Sequence, residues 1–373
     1  MRYTRISADC HIDLPWLPPD LFTSNASAAL KDRMPYVTDG PDGPYWTSKK
    51  GLSYGLVCGV GPSGAKLVPG QNYRVDKMAA VGLYDDAKRG VRRVIDPDLR
   101  LKDMEMDGVD AEVIFGILGA ASRLGDHEAA KEMFRIYNDW LAGFCRHHPD
   151  RQIGLACLPY GDIDAAVSEA HRVAKLGLKG LELSCSWDME PMWHPVWEPL
   201  WQAVSEVDLP LHFHTFPSTP PRAREHADGL VRRAALFTGV SAFQMNLVNI
   251  LAAVIGAAVL ERYPKLRISF GESGIGWIPY ALDRMDFEWG LLAAAVQGDV
   301  PVRSHRHPAD RGHGCRDTHV GLGLSAHRRR LAGVVQVRRG AVRPPAEGRR
   351  AQDHVRERRE VLRADELRIR FKG

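Results

Sequence analysis

Residues 153–184 read IGLACLPYGDIDAAVSEAHRVAKLGLKGLELS and contain a strand, a helix and a second strand. Residues 153–158 and 180–184 are short apolar runs typical of buried strands, whereas residues 163–176 repeat their apolar positions at helical spacing. A strand, a helix and a strand in this order form a βαβ unit with parallel strands. The stretch therefore predicts an α/β fold built on a parallel sheet.

The same alternation extends on both sides of this unit, from residue 1 to about 290. Further strands are predicted at 6–11, 112–115, 209–215 and 266–271, and helices at 99–106, 128–145, 196–207 and 245–263. Residues from about 15 to 95 are polar and rich in Gly and Pro, and they predict an inserted loop or subdomain. Six strands connected mostly through helices approach the eight of a (β/α)8 barrel.

Composition excludes several classes of protein. The chain has 373 residues, 45% apolar and 26% charged, which is typical of a globular protein. Its longest apolar run, residues 250–260, is too short to cross a hydrocarbon layer of ~30 Å. The first residues contain no signal-peptide pattern, which favours a cytoplasmic location, and six cysteines without a C-x-x-C pair favour reduced thiols.

Two pairs of polar side chains lie on predicted strands. Asp9 and His11 are two residues apart and share one face of the first strand, and His212 and His214 share one face of another. Imidazole and carboxylate groups that converge from different strand ends are typical of a divalent-metal site. Either histidine of the second pair is a candidate ligand, and the alternative is a core histidine hydrogen-bonded to a backbone carbonyl.

Glu272 follows another predicted strand and precedes a Gly-rich turn that could open a helix. A carboxylate at this position is a candidate general acid or base. The alternative is a buried carboxylate that caps the helix or pairs with an arginine.

Together these residues resemble the amidohydrolase-related branch of the amidohydrolase superfamily, which includes aminocarboxymuconate-semialdehyde decarboxylase and the resorcylate decarboxylases. The resemblance covers residues 1 to about 289. It rests on Asp9-Cys10-His11, on RLKDM and DGVDAEV at 100–104 and 107–113, on Leu209-Pro210 with His214, and on YPKL at 263–266 running to Gly276-Trp277. It implies a (β/α)8 TIM barrel of the metal-dependent hydrolase type, acting as a hydrolase or a carboxy-lyase on a small organic substrate, and a homodimer by analogy.

The same resemblance implies that Asp9, His11 and His214 bind a divalent metal, usually zinc, together with an Asp on the eighth strand. Two departures limit it. Decarboxylases of this group carry a His where the chain has Glu272, so the choice between hydrolysis and decarboxylation stays open. No strand seven, strand eight or Gly-Ser-Asp-Tyr-Pro-His motif is visible after residue 290.

The last part of the chain is strongly basic. Residues 301–373 contain 19 Lys and Arg against 8 Asp and Glu, whereas residues 1–300 contain 31 against 38. One interpretation is a non-enzymatic protein whose basic tail binds nucleic acid. We favour a shifted reading frame, because codons for residues 319–332, regrouped one base later, can encode MWGSDYPHTDGVWP. That text contains the missing motif, with its Asp encoded across Gly323 and Leu324.

The shifted frame changes what the written chain is expected to be. Residues 1–290 would form the barrel, with the insert at about 15–95, and residues 291–373 an aberrant, disordered tail. Such a barrel lacks two strands and keeps open edges, so we expect the written chain to be inactive or insoluble. In the enzyme hypothesis Asp9, His11 and His214 hold the metal and Glu272 moves a proton, without a nucleic-acid or membrane partner.

Overall fold

A computed structural model describes residues 3–61, 64–184, 189–214, 229–242 and 245–296. Its strands, in chain order, are β1 (Ile6–His11), β2 (Tyr36–Thr38), β3 (Tyr45–Thr47), β4 (Ser53–Leu56), β5 (Ala111–Phe115), β6 (Gln152–Cys157), β7 (Gly180–Ser184), β8 (Leu211–His214) and β9 (Ile268–Gly271). Six of them form one parallel sheet in the order β1-β5-β6-β7-β8-β9. The sheet curls as part of a barrel, which confirms the predicted α/β class.

The helices are α1 (Leu21–Asn25), α2 (Tyr73–Ala80), α3 (Leu83–Lys88), α4 (Pro97–Met106), α5 (Leu118–Arg123), α6 (His127–Cys145), α7 (Ile163–Leu176), α8 (Glu198–Val207), α9 (Gly229–Ala242), α10 (Asn246–Gly256), α11 (Val259–Arg262) and α12 (Ile278–Val296). Three of the helices that connect strands of the large sheet have an aspartate as their N-cap. Its side chain accepts hydrogen bonds from backbone N–H groups of the first turn and so stabilises the start of the helix. Asp96, Asp126 and Asp162 do so at the starts of α4, α6 and α7.

One predicted helix is wrong in detail. The apolar periodicity of residues 245–263 predicts a single helix, but the structure divides it into α10 and α11. Ala258 lies between them with a left-handed φ of 52°, which breaks the helical backbone. The periodic pattern continues through this residue, so the sequence gives no sign of the break.

The segment between β1 and α4 has its own small sheet. Strands β2, β3 and β4 are antiparallel and lie in that order. A separate apolar cluster of Trp16, Val75, Leu83 and Tyr84 packs in the same segment. The insert predicted at about 15–95 therefore contains regular structure, and its status as a subdomain stays a prediction.

Contacts between residues divide the chain into Met1–Met285 and Asp286–Gly373. All residues of the large sheet lie in the first part, whereas α12 ends at Val296 in the second. The predictions for strands seven and eight and for the tail concern residues that, beyond 296, lie outside the described ranges. No helix in the described part of the chain is both long and apolar enough to cross a bilayer.

The two faces of the large sheet differ in chemistry. Val113, Phe115 and Leu155 form a buried apolar cluster on the inner face, and Ile6 packs against it. On the other face of β5, Glu112 pairs with Arg100 of α4, with 2.5 Å between Nε and Oε1. Because side chains alternate along a strand, the inner face also carries the polar residues that follow this cluster towards the carboxyl ends of the strands.

Candidate metal centre

Three side chains, two from the edge strand β1 and one from β8, which lies next to the other edge strand, meet at the carboxyl ends of the strands. Asp9 and His11 lie on β1, and His214 is the last residue of β8. Their ligand atoms all lie within 4.8 Å of one another. The side chain of His214 is 10% exposed, whereas those of Asp9 and His11 are 35% and 33% exposed, so the cluster opens towards solvent on one side.

The spacing of these atoms fits a divalent cation. His11 Nε2 lies 3.1 Å from Asp9 Oδ1, and His214 Nε2 lies 3.5 Å from the same oxygen. Ligand atoms of a tetrahedral site with bonds of ~2.0–2.1 Å lie about 3.3 Å apart. Two imidazole nitrogens and one carboxylate oxygen also suit zinc and related divalent ions. The described residues therefore bring together the donor set of a divalent-metal site.

The electrostatics of the cluster couple its carboxylate to its imidazoles. Burial by itself would raise the pKa of Asp9, but hydrogen bonds and charge from His11 and His214 outweigh it and hold the pKa well below its usual range. Burial would likewise lower the pKa of His11, but the Asp9 carboxylate raises it. Asp9 is thus ionised over the whole neutral range, as a metal ligand must be.

Apolar packing fixes the ring of His214. The ring centroids of Phe115 and His214 are 4.8 Å apart, and those of Phe115 and His11 are 5.7 Å apart. A Cβ on Gly271 would lie 2.9 Å from His214 Cδ2, so the neighbouring strand can approach this ring only with glycine at that position. The imidazoles of His11 and His214 therefore pack against the ring of Phe115, and His214 also packs against the backbone of Gly271.

The structure separates the two histidines of β8. His212 lies two residues before His214 on the same face of β8, beside Gly180 and Leu155, and its ring centroid is 5.9 Å from that of Phe115. Burial lowers the pKa of His212 to about 4, so this ring is neutral at physiological pH. His214, rather than His212, joins Asp9 and His11.

Glu272 lies beside the cluster but outside the group of three. Its Oε2 is 3.8 Å from His214 Nε2, and 47% of its side chain is exposed. Its backbone N–H donates a hydrogen bond to Asp9 Oδ2 at 2.9 Å. The structure thus places the predicted acid or base within reach of whatever binds at the three donors. The Asp expected from the eighth strand, at Gly323 and Leu324, lies outside the described residues.

Two acidic residues near the cluster were missed by the sequence analysis. Asp13 Oδ1 lies 3.8 Å from His11 Nδ1. Glu182 on β7 is fully buried, accepts a hydrogen bond from the Gly116 N–H at 2.7 Å and lies 3.7 Å from Cys157 Sγ. Burial raises the pKa of Glu182. Asp13 continues the alternation of Asp9 and His11, and that spacing was the signal that could have found it.

A separate cavity of about 150 Å³ lies between the starts of α6 and α7. Lys131 and Asp162 in its lining form an ion pair with 2.7 Å between Nζ and Oδ2. None of the three clustered donors lines this cavity. We therefore place the candidate functional site at the carboxyl ends of the strands, where the donors converge.

Comparison with known proteins identifies the family. The model of the amidohydrolase family, Amidohydro_2, matches residues 8–314, which include all three donors. The chain belongs to the amidohydrolase family. The match continues past residue 289, where the motifs of the sequence resemblance end, and stops before residues 319–332, for which the shifted frame is a prediction.

Curated relatives of this amidohydrolase chain include two gamma-resorcylate decarboxylases. That of Rhizobium radiobacter is 30% identical over 204 residues, covering 51% of the chain and 58% of the relative. That of Polaromonas sp. is 28% identical over 201 residues, covering 51% and 59%. The chain thus spans less than two thirds of the length of these relatives.

A solved amidohydrolase, map2389c from Mycobacterium avium subsp. paratuberculosis, has a similar fold. Its TM-score is 0.59 at 17% identity, over 80% of this chain and 78% of that one. At this identity the likeness concerns the fold alone. It agrees with the curled parallel sheet described above.

Proposed function

We propose that this amidohydrolase is a metal-dependent carboxy-lyase that acts on a small aromatic carboxylate. The observation that carries the proposal is the convergence of Asp9, His11 and His214 at spacings of 3.1 and 3.5 Å between ligand atoms. Relatives named as decarboxylases favour loss of carbon dioxide over hydrolysis. The alternative of a nucleic-acid-binding tail depends on residues 301–373, which lie outside the described ranges, and family membership favours the enzyme.

In this proposal Asp9, His11 and His214 hold the cation, and zinc suits two imidazoles and a carboxylate. When bound, the cation supplies Lewis-acid chemistry that orients the substrate and stabilises negative charge that develops on it. The three side chains contribute one negative charge and two neutral nitrogen donors. Because the bound cation carries two positive charges, the cation and its three ligands together are positive and do not repel an acidic substrate.

Glu272 is proposed to move the proton. In decarboxylation the bond between the ring carbon and the carboxylate breaks, carbon dioxide leaves, and the electron pair stays on the ring carbon, which must gain a proton. The Glu272 carboxyl group, 3.8 Å from His214 Nε2 and half exposed, would donate that proton and take another from solvent. A glutamic acid would thus do the work that the sequence resemblance assigns to a histidine.

The proposal is tested with protein expressed from a frame-restored gene and loaded with Zn²⁺. We expect metal-dependent release of carbon dioxide from one or more members of a panel of hydroxylated benzoates, and no release by the His214→Ala variant. Cleavage of lactone or amide substrates with no release of carbon dioxide would instead assign the site to hydrolysis. Neither activity in a metal-loaded, folded protein would contradict the proposal.

We also propose that the cation is zinc, that the protein is cytoplasmic and that it forms a homodimer. Loading metal-free protein with Zn²⁺, Mn²⁺ or Fe²⁺ in parallel distinguishes the cation by the activity restored. Size-exclusion chromatography with light scattering gives the oligomeric state.

A further inference from the structure

The ring of His11 lies between two carboxylates. Its Nε2 faces Asp9, with 3.1 Å to Oδ1, and its Nδ1 faces Asp13, with 3.8 Å to Oδ1. The two nitrogens of an imidazole cannot both be lone-pair donors, since a neutral ring carries a proton on one of them. The carboxylate that accepts the ring N–H therefore determines which nitrogen of His11 keeps its lone pair.

Among the described residues, the ion-pair partner of the Asp13 side chain is His11. It precedes the 3-10 helix Leu14–Trp16, yet its side chain makes no capping hydrogen bond there. The charged groups that face it are His11, His214 and Arg100. Arg100 is already engaged by both oxygens of Glu112, at 2.5 and 3.0 Å, and by the Val94 carbonyl at 3.0 Å.

The backbone around Asp13 is held in place. Ile12 and Leu14 are 0% and 3% exposed, and the Ile12 N–H donates to the Phe115 carbonyl at 3.3 Å. The Asp13 side chain thus leaves a fixed backbone and faces one edge of the His11 ring. A distance of 3.8 Å exceeds a normal hydrogen bond, but such contacts in unloaded sites often tighten when the site is filled.

We propose that Asp13 is a positioning residue that accepts the Nδ1–H of His11 and thereby directs the Nε2 lone pair to the cation. The inference rests on the proposed function of Asp9, His11 and His214 as metal ligands. Histidines that bind metals generally donate their second N–H to a carboxylate, a carbonyl or water, which fixes the tautomer and the ring orientation. Removal of such a partner typically lowers metal affinity by about 10–100-fold.

The test measures the Zn²⁺ affinity of the frame-restored protein by competition with a chromophoric chelator. Asp13→Ala is expected to weaken binding by about 10–100-fold, and Asp13→Asn by less, because the amide oxygen still accepts a hydrogen bond without the charge. Asp20→Asn is the matched control, since Asp20 also precedes a helix, α1, without a side-chain capping bond. This control is expected to bind Zn²⁺ like the parent.

A second readout follows the His11 ring directly. Nitrogen-15 and proton NMR of the Zn²⁺-loaded chain, with the His11 signals assigned by comparison with the His11→Gln variant, is expected to show an Nδ1–H that exchanges slowly with water in the parent and faster in Asp13→Ala. Unchanged affinity and unchanged Nδ1–H exchange in folded Asp13→Ala or Asp13→Asn would overturn this inference and leave the proposed function intact. A parent chain that binds no Zn²⁺ would overturn both.

Discussion

Asp9 Oδ2 accepts a hydrogen bond from the backbone N–H of Glu272, with 2.9 Å between the two atoms. Asp9 lies on β1 and Glu272 follows β9, and these are the two edge strands of the described parallel sheet. Glu272 has a left-handed φ of 48°, a conformation that costs free energy for a residue with a Cβ and that recurs at functional sites. The residue thus contributes an N–H to Asp9 and, separately, a carboxyl group to the site.

These two contributions can be separated by substitution. Glu272→Gly keeps the backbone N–H and removes the conformational cost of the left-handed φ. Glu272→Gln keeps the shape of the side chain without an acidic group. In the frame-restored protein we expect both variants to retain bound zinc and to lose turnover by about 10²–10⁴-fold, the usual contribution of a general acid. Glu206→Gln, on the exposed end of α8, is the control. Parent-level turnover in Glu272→Gln would contradict the assigned role.

Arg100 and Glu112 form a buried ion pair beside β1. Their side chains are 12% and 5% exposed. Arg100→Met leaves the Glu112 carboxylate buried without its partner, so we expect the free energy of unfolding to fall by about 3–5 kcal/mol. The measurement is urea denaturation followed by circular dichroism.

Two further variants check this explanation. Replacing both residues, Arg100→Met with Glu112→Leu, should cost less than the single change, because no unpaired charge remains. Arg89→Met removes an exposed partner of Asp86 and should cost at most about 1 kcal/mol. A double variant as unstable as Arg100→Met would show that packing, rather than charge, explains the loss.

Glu182 makes stability depend on pH. Burial raises its pKa in the folded protein above the value of about 4.3 in the unfolded chain. As pH rises above that value, the unfolded chain releases a proton that the folded chain keeps, so the free energy of unfolding decreases until the folded pKa is passed.

Glu182→Gln removes this titration while an amide oxygen can still accept the Gly116 N–H. The variant should therefore gain stability relative to the parent as pH rises from about 4 towards neutrality. Urea denaturation at several pH values between these limits measures the difference. Stability curves that stay parallel over this range would contradict the raised pKa.

The reading frame is tested by resequencing the gene. We expect a displaced base near codons 288–297, and we expect the restored frame to yield a soluble, active protein, whereas the written chain is inactive or insoluble. An unaltered sequence through these codons, together with a soluble written chain, would remove the frame-shift hypothesis.

The sequence predicted most of the fold where local signals are strong. Strands 6–11 and 180–184 and the helix at 163–176 have the same bounds in the structure, and α7 begins with a capping aspartate and ends at Gly177 with a φ of 88°. The division of residues 245–263 at Ala258 was not predictable, because a left-handed alanine leaves no mark in the pattern.

The candidate site was predictable in part for a similar reason. Asp9 and His11 share a face through simple alternation, but the choice between His212 and His214 depends on which ring reaches β1 across the curled sheet. Glu182 was missed because its strand is otherwise apolar and its partner, Gly116, is distant in sequence. Long-range pairing of this kind leaves no local pattern.

The central claim is that Asp9, His11 and His214 bind one divalent cation. Metal analysis of the dialysed, frame-restored protein after Zn²⁺ loading tests it, with His11→Ala, His214→Ala and, as a control, His171→Ala, an exposed histidine on α7. We predict stoichiometric zinc in the parent and in His171→Ala, and its loss from the other two variants. Stoichiometric zinc retained by folded His11→Ala or His214→Ala would contradict the account.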